Sequence, residues 1–155
     1  METTFVMKPI GVVKNARIEP TDDYWGSILS VIELNPEIPE ESLTGIEGFS
    51  HLEVLFYFNK ADEKNIAYMG YPRNNQQWPM TGIFATRKKD RPNHIGLTIV
   101  TLAKREGKKI FVRNLDAIDG TPVLDIKPVI KEFLPDGEIR QPFWASEVMK
   151  NYWKE

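Results

Sequence analysis

From His51 to Asn59 the chain reads H-L-E-V-L-F-Y-F-N, an unbroken alternation. A period of two puts Leu52, Val54, Phe56 and Phe58 on one face and His51, Glu53, Leu55, Tyr57 and Asn59 on the other. A helix would scatter both sets around its circumference, so the segment reads as a strand with one face in a core. The opposite face is mixed. It suits a pocket wall, a subunit contact or a solvated sheet surface equally well.

A strand needs partners. Short runs rich in Val, Ile, Phe and Thr, punctuated by Gly and Pro, place strands at 5–13, 27–34, 51–58, 95–103, 109–115 and 123–126. Arg105-Glu106-Gly107-Lys108 then reads as the hairpin turn between two of them. Helices are few. Pro39, Glu40 and Glu41 suit a first helical turn that Gly45 stops, giving a short connector. Trp144, Val148 and Tyr152 recur at helical spacing beside Ala145, Met149 and Trp153, which predicts a C-terminal helix with an aromatic packing stripe. Residues 59–80 are polar and loop-like, long enough to suggest a functional loop. The fold class is therefore mainly β with a few short helices, and 155 residues suit one domain over 1–155.

The composition, 41% hydrophobic and 27% charged, is that of an ordinary globular protein. The absence of cysteine excludes disulfides, thiolate metal sites and cysteine nucleophiles. With His51 and His94 as the two histidines, a histidine-rich metal centre is ruled out and no metal is expected. No apolar run approaches a membrane span, and the first residues do not read as an export signal, so a cytoplasmic protein is expected. A net charge of −2 leaves nucleic-acid binding to local patches. Arg87, Lys88, Lys89 and Arg91 form one such patch, interrupted by Asp90, and the hairpin residues Lys104, Arg105, Lys108 and Lys109 form the other.

Signatures such as GxGxxG after a strand, Walker A, GxSxG and HExxH are missing. Two segments concentrate special residues instead. The first is Gly82-Ile83-Phe84-Ala85-Thr86-Arg87, continuing through Arg91-Pro92-Asn93-His94-Ile95-Gly96-Leu97; the second runs from Asn114-Leu115-Asp116 through Asp119-Gly120-Thr121-Pro122 to Asp125-Ile126-Lys127-Pro128. Gly and Pro set backbone turns while Arg, Asn, Asp and Thr present hydrogen-bonding groups, a combination that suits a polar ligand. Taken by their chemistry alone, Asp119-Gly120-Thr121-Pro122 as a tight turn and Arg91-Pro92-Asn93 as a strand-entry loop are the better reading.

The two segments resemble the signature blocks of the TsaA/TrmO family, G-x-F-A-T-R-S-x-x-R-P-N-P-I-G-L-S and L-D-x-x-D-G-T-P-V-x-D-I-K-P. Gly48-Phe49-Ser50-His51-Leu52 and Ile10-Gly11-Val12-Val13 resemble two further family stretches, so the likeness covers a signature core of about 10–128 and leaves 129–155 as a C-terminal extension. The resemblance implies a small β-barrel that binds S-adenosylmethionine, works as a homodimer and methylates the exocyclic amine of a threonylcarbamoyl-modified adenosine beside the tRNA anticodon. It also implies cofactor contacts at Phe58, Asn59, Arg87, Leu97, Asn114, Leu115 and Asp116, with Asp119, Gly120 and Thr121 as a second choice. Arg87 suits the cofactor carboxylate. Asp119 and Asp125 are the acids expected to accept the amine's proton, and Lys88, Lys89 and Arg91 the cations expected to meet tRNA. A non-catalytic S-adenosylmethionine sensor or dimeric interaction module is the alternative. The chain departs from the pattern at Lys88, where the family has Ser, at His94, where it has Pro, and at Ile18-Glu19-Pro20-Thr21-Asp22-Asp23, where longer members carry a Pro-Arg-Gln loop.

Overall fold

The structure is a computed structural model that describes residues 2–155. Its strands are β1 (Gly11–Lys14), β2 (Leu29–Leu34), β3 (His51–Tyr57), β4 (Met69–Gly70), β5 (Thr81–Gly82), β6 (Ile95–Glu106), β7 (Lys109–Arg113) and β8 (Pro122–Pro128), followed by one α-helix, α1 (Phe143–Val148). Six strands close into an antiparallel barrel in the order β1-β2-β7-β6-β3-β8, while β4 and β5 pair by themselves. Closure gives every barrel strand a neighbour on both sides along part of its length. The fold is thus mainly β, as the alternation and turn spacing predict.

The alternating segment lies between β6 and β8, and its two faces separate as expected. Leu52, Val54 and Phe56 point inward to join Val13, Ile32, Val100, Ile110, Val112 and Val123 in the core, each at 2% exposure or less. Burying each such side chain contributes on the order of 1.5–3 kcal/mol. Gly96 faces Phe56 across the β3–β6 ladder, and a β-carbon there would press into the Phe56 ring.

The first strand is shorter than predicted. Residues 2–8 make no backbone hydrogen bond to the barrel and Pro9 lacks an N–H, so pairing begins where Ile10 N–H donates to Val123 O at 2.8 Å. At the other end of the barrel β7 stops at Arg113 because Asn114 turns left-handed, with φ 62°. The predicted hairpin is present, with Gly107 at φ 58°, and its cations are spent locally: Lys104 pairs with Glu106 at 2.7 Å, Lys109 with Glu33 at 3.4 Å, and Lys108 donates to Asn35 O at 2.7 Å. The connector is a single 3-10 turn, Glu40–Leu43, that buries Leu43 before Gly45. The 59–80 stretch is less bare than its composition suggests, since it holds β4 and a 3-10 turn at Pro72–Asn74.

Beyond α1 the chain folds back on the barrel. Tyr24, Trp25 and Gly26 donate their N–H groups to the carbonyls of Asn151, Tyr152 and Lys154 at 3.1, 2.8 and 3.2 Å. The predicted C-terminal helix is therefore real but only six residues long, and the aromatic residues after it dock through backbone hydrogen bonds. No helix among the described residues is long and apolar enough to cross a membrane.

A site on the unpaired edge of β6

β6 outruns its neighbour. It pairs with β3 from Ile95 to Thr101, but its ladder with β7 begins only at Thr101, so its first half has a second edge with no strand beside it. Backbone groups on such an edge need other partners. Arg87 supplies one, its guanidinium donating to the Leu97 carbonyl. One residue on, the Thr98 hydroxyl donates to the Asp116 carboxylate, which the left-handed turn at Asn114 has carried under the same edge.

Arg87 follows the 3-10 turn Ile83–Ala85, whose Ile83 carbonyl accepts the Thr86 hydroxyl at 3.0 Å. The loop beyond wraps around its own cation, since Arg91 Nη1 donates to the carbonyls of Thr86 and Lys88 at 2.8 and 3.4 Å. Lys88 Nζ donates to Tyr71 O at 2.9 Å, and Lys89 pairs with Asp90 at 3.3 Å. The basic patch is thus a clasped loop rather than a row of free charges. Arg87 differs, because its side chain is exposed and the Leu97 carbonyl uses only one of its five donors.

Asp116 is held from two sides, by the Thr98 hydroxyl and by the Tyr152 hydroxyl arriving from the docked C-terminal segment. Burial and the Asp116 charge push the Tyr152 hydroxyl well above the ordinary tyrosine range, so it remains a donor. A carboxylate offers about four lone-pair positions, and these two bonds leave others for a ligand. The segment behind Tyr152 is pinned in turn. Arg73 grips Asp23 through two hydrogen bonds of 2.9 and 3.2 Å, and the Arg17 guanidinium lies 3.9 Å from the Trp25 ring centre.

Arg87, Leu97, Asn114 and Asp116 therefore gather on one edge. The other predicted residues do not all join them. Leu115 has no exposed surface and belongs to the core, so only its backbone could meet a ligand. Phe58 packs against the core, edge-on to Phe56 with ring centres 5.3 Å apart. Asp119 Oδ1 accepts the Asn15 N–H at 3.1 Å, Gly120 N–H donates to Val13 O at 2.8 Å, and the buried Thr121 hydroxyl donates to Ile118 O at 2.7 Å. Those three residues form the turn that fastens β8 to β1. Asn59 stands apart, in a cavity with Tyr57 and His94.

The register also decides which way Asp125 faces. Ile126 lies opposite Val54 and packs on the core, whereas Asp125 lies opposite Leu55, which in turn lies opposite Leu97. Asp125, Leu55 and Leu97 thus form one row across the outer surface. Asp125 Oδ2 stands 3.1 Å from Lys127 Nζ, with the carboxylate half exposed. Sequence reasoning missed Thr98 and Tyr152. The first lies in an ordinary strand pattern, and the second sits in an aromatic stripe whose spacing reads as packing.

The chain is thus a closed antiparallel barrel that carries an arginine and a held carboxylate on one strand edge. More narrowly, the chain belongs to the tRNA-methyltransferase O N-terminal domain family, whose model matches residues 18–134. It is 37% identical over 131 residues to a probable S-adenosyl-L-methionine-binding protein of Pyrococcus abyssi, covering 81% of this chain and 68% of that one. It is 46% identical over 114 residues to the human tRNA (adenine(37)-N6)-methyltransferase, covering 73% of this chain but 25% of the human protein. The crystal structure of TrmO from Pseudomonas aeruginosa superposes with a TM-score of 0.76 at 29% identity, covering 93% of this chain and 63% of that one. The chain thus spans a quarter of the human relative and less than two thirds of the solved one.

Proposed function

We propose that the chain is an S-adenosylmethionine-dependent methyltransferase that acts on the exocyclic amine of a threonylcarbamoyl-modified adenosine beside the tRNA anticodon, and works as a homodimer in the cytoplasm. The observation that carries this reading is the convergence of Arg87, Leu97 and Asp116 on the free edge of β6, within a family whose human relative is named for adenine-37 methylation. The residues suit the cofactor's chemistry. Arg87 keeps donors for a carboxylate, Asp116 keeps acceptor positions for ribose hydroxyls or an adenine amine, and exposed Leu97 and Phe84 offer apolar surface.

When bound, S-adenosylmethionine supplies an activated methyl group, and the protein's task is then alignment. No protein nucleophile is required. The acceptor nitrogen must lose a proton as its new bond to carbon forms, and a carboxylate on the acceptor side assists. Of the two candidate acids, Asp125 is the better placed, because it shares the outer row with Leu97 while Asp119 is committed to the β1 turn. The dimer is supported by exposed apolar residues on that outer face, Leu97 and Ile99. Lys88, Lys89 and Arg91 remain the cations for tRNA, presented by a loop that Arg91 itself organises.

Calorimetry with S-adenosylmethionine, followed by methyl transfer to total tRNA from cells lacking the protein, tests the reading. Binding with methylation of adenosine is expected. Binding without product would leave a cofactor sensor, and no binding would remove the cofactor altogether.

A further inference from the structure

Where β3 leaves the barrel, a cavity of about 650 Å³ opens between its end and the start of β8. Tyr57, Asn59, Glu63, Asn93 and His94 are among the residues that line it. Glu63 holds the Tyr57 hydroxyl at 2.8 Å and so steadies that ring. His94 is 4% exposed, and its Nε2 has no hydrogen-bond partner in the structure. A buried, unpaired ring nitrogen is costly unless something completes it.

The backbone beneath this imidazole is strained. Asn93 and His94 are consecutive left-handed residues, at φ 65° and 51°, a conformation that side-chain-bearing residues seldom adopt in succession. Strain kept at a cavity wall points to a use for the side chain it presents. The far wall is formed by Phe5 and Met7, which are 83% and 57% exposed and belong to the stretch without backbone hydrogen bonds to the barrel. That wall can lift at little cost.

The lining selects a flat ring with donors and acceptors on its edge. Each asparagine amide offers both, the arrangement that pairs with the amine and ring nitrogen of adenine. Aromatic walls accept an unstacked base, as proteins that read single-stranded RNA or act on an extruded base do. The cavity also opens on the right face. Tyr57 lies opposite Ile95, and Leu97 is its diagonal neighbour on the same outer surface, about 7–8 Å away. Asp125 sits in the adjoining row, opposite Leu55.

We infer that this cavity receives the acceptor nucleobase, an unstacked purine, once the Phe5–Met7 wall lifts and uncovers the edge of the His94 imidazole. The identity of the base as acceptor rests on the methyltransferase reading above; the nucleobase site itself does not.

Calorimetric titration of the whole protein with adenosine, under saturating S-adenosylhomocysteine to occupy the cofactor site, tests it. Adenosine should bind, and uridine at least tenfold more weakly. His94→Asn keeps a residue that tolerates positive φ, and should weaken adenosine at least tenfold while S-adenosylhomocysteine affinity moves less than twofold. Tyr57→Leu, which removes a ring from the wall without touching the strained turn, should do the same. Absence of adenosine binding, equal binding of uridine, or both variants retaining adenosine affinity would overturn the inference even with the cofactor bound. If S-adenosylhomocysteine fails to bind while adenosine binds in a His94-dependent way, the cofactor reading falls and the nucleobase site stands.

Discussion

Arg87 holds the Leu97 carbonyl and Asp125 shares a row with Leu97, yet single substitutions at them should fail differently. Arg87 is exposed and touches the barrel through one carbonyl, so Arg87→Ala should leave the fold intact and weaken S-adenosylmethionine binding at least tenfold, about 1.4 kcal/mol, by calorimetry. Asp125→Asn keeps the shape of an outer-face residue but removes a proton acceptor; methyl transfer should fall about 100-fold or more with cofactor affinity unchanged, read from single-turnover rates. Tyr152 links the site to pH. Its hydroxyl is harder to ionise in the folded chain than in the unfolded one, where it titrates near 10, so the folded state favours the protonated form. The stability it confers is fully present below about pH 10 and is lost as pH rises beyond that. Chemical denaturation should therefore show a constant gap between wild type and Tyr152→Phe from pH 6 to about pH 9, and a shrinking gap above pH 10.

The elements differ in how plainly the sequence announces them. The alternation from His51 to Phe58 identifies β3 because a half-buried strand must repeat every second residue, and Gly107 announces the β6–β7 turn because the chain there needs positive φ. The beginning of β1 was illegible, since Phe5 and Val6 look like strand residues but have no partner strand within reach. The docked C-terminal segment was illegible for a different reason. Its bonds to Tyr24, Trp25 and Gly26 run between backbones more than 120 residues apart in sequence, and such bonds leave no pattern in side-chain chemistry. Gly26 is the exception in hindsight, because any β-carbon there meets the Trp153 carbonyl, which is backbone and cannot swing aside. Gly26→Ala should displace the 151–154 segment and withdraw Tyr152 from Asp116. A lowered melting temperature with weakened S-adenosylmethionine binding is expected, whereas unchanged cofactor affinity would mean that the tail stabilises the barrel without shaping the site.

At the scale of the whole molecule, closure of the barrel governs how it meets anything larger. With every barrel strand paired on both sides along part of its length, association between copies is expected to use a face, and the outer surface of β3 and β6 presents Leu97 and Ile99 at 43% and 46% exposure beside Leu55. Charge neither drives nor opposes that contact strongly at a net −2. The same low charge would restrict the proposed RNA binding to the clasped loop, where Lys88, Lys89 and Arg91 would exchange their present partners for phosphates. Each phosphate neutralised contributes about 0.9 to the slope of log affinity against log salt, so tRNA binding should show a slope near about −3 for a single copy and about −5 for a dimer. If the proposed dimer forms, Ile99→Lys on the exposed face should convert it to a monomer by light scattering with little loss of melting temperature, and should move the tRNA slope between those two values. A slope that stays constant while the mass halves would mean that the two loops do not engage one tRNA together, and would separate dimerisation from substrate capture.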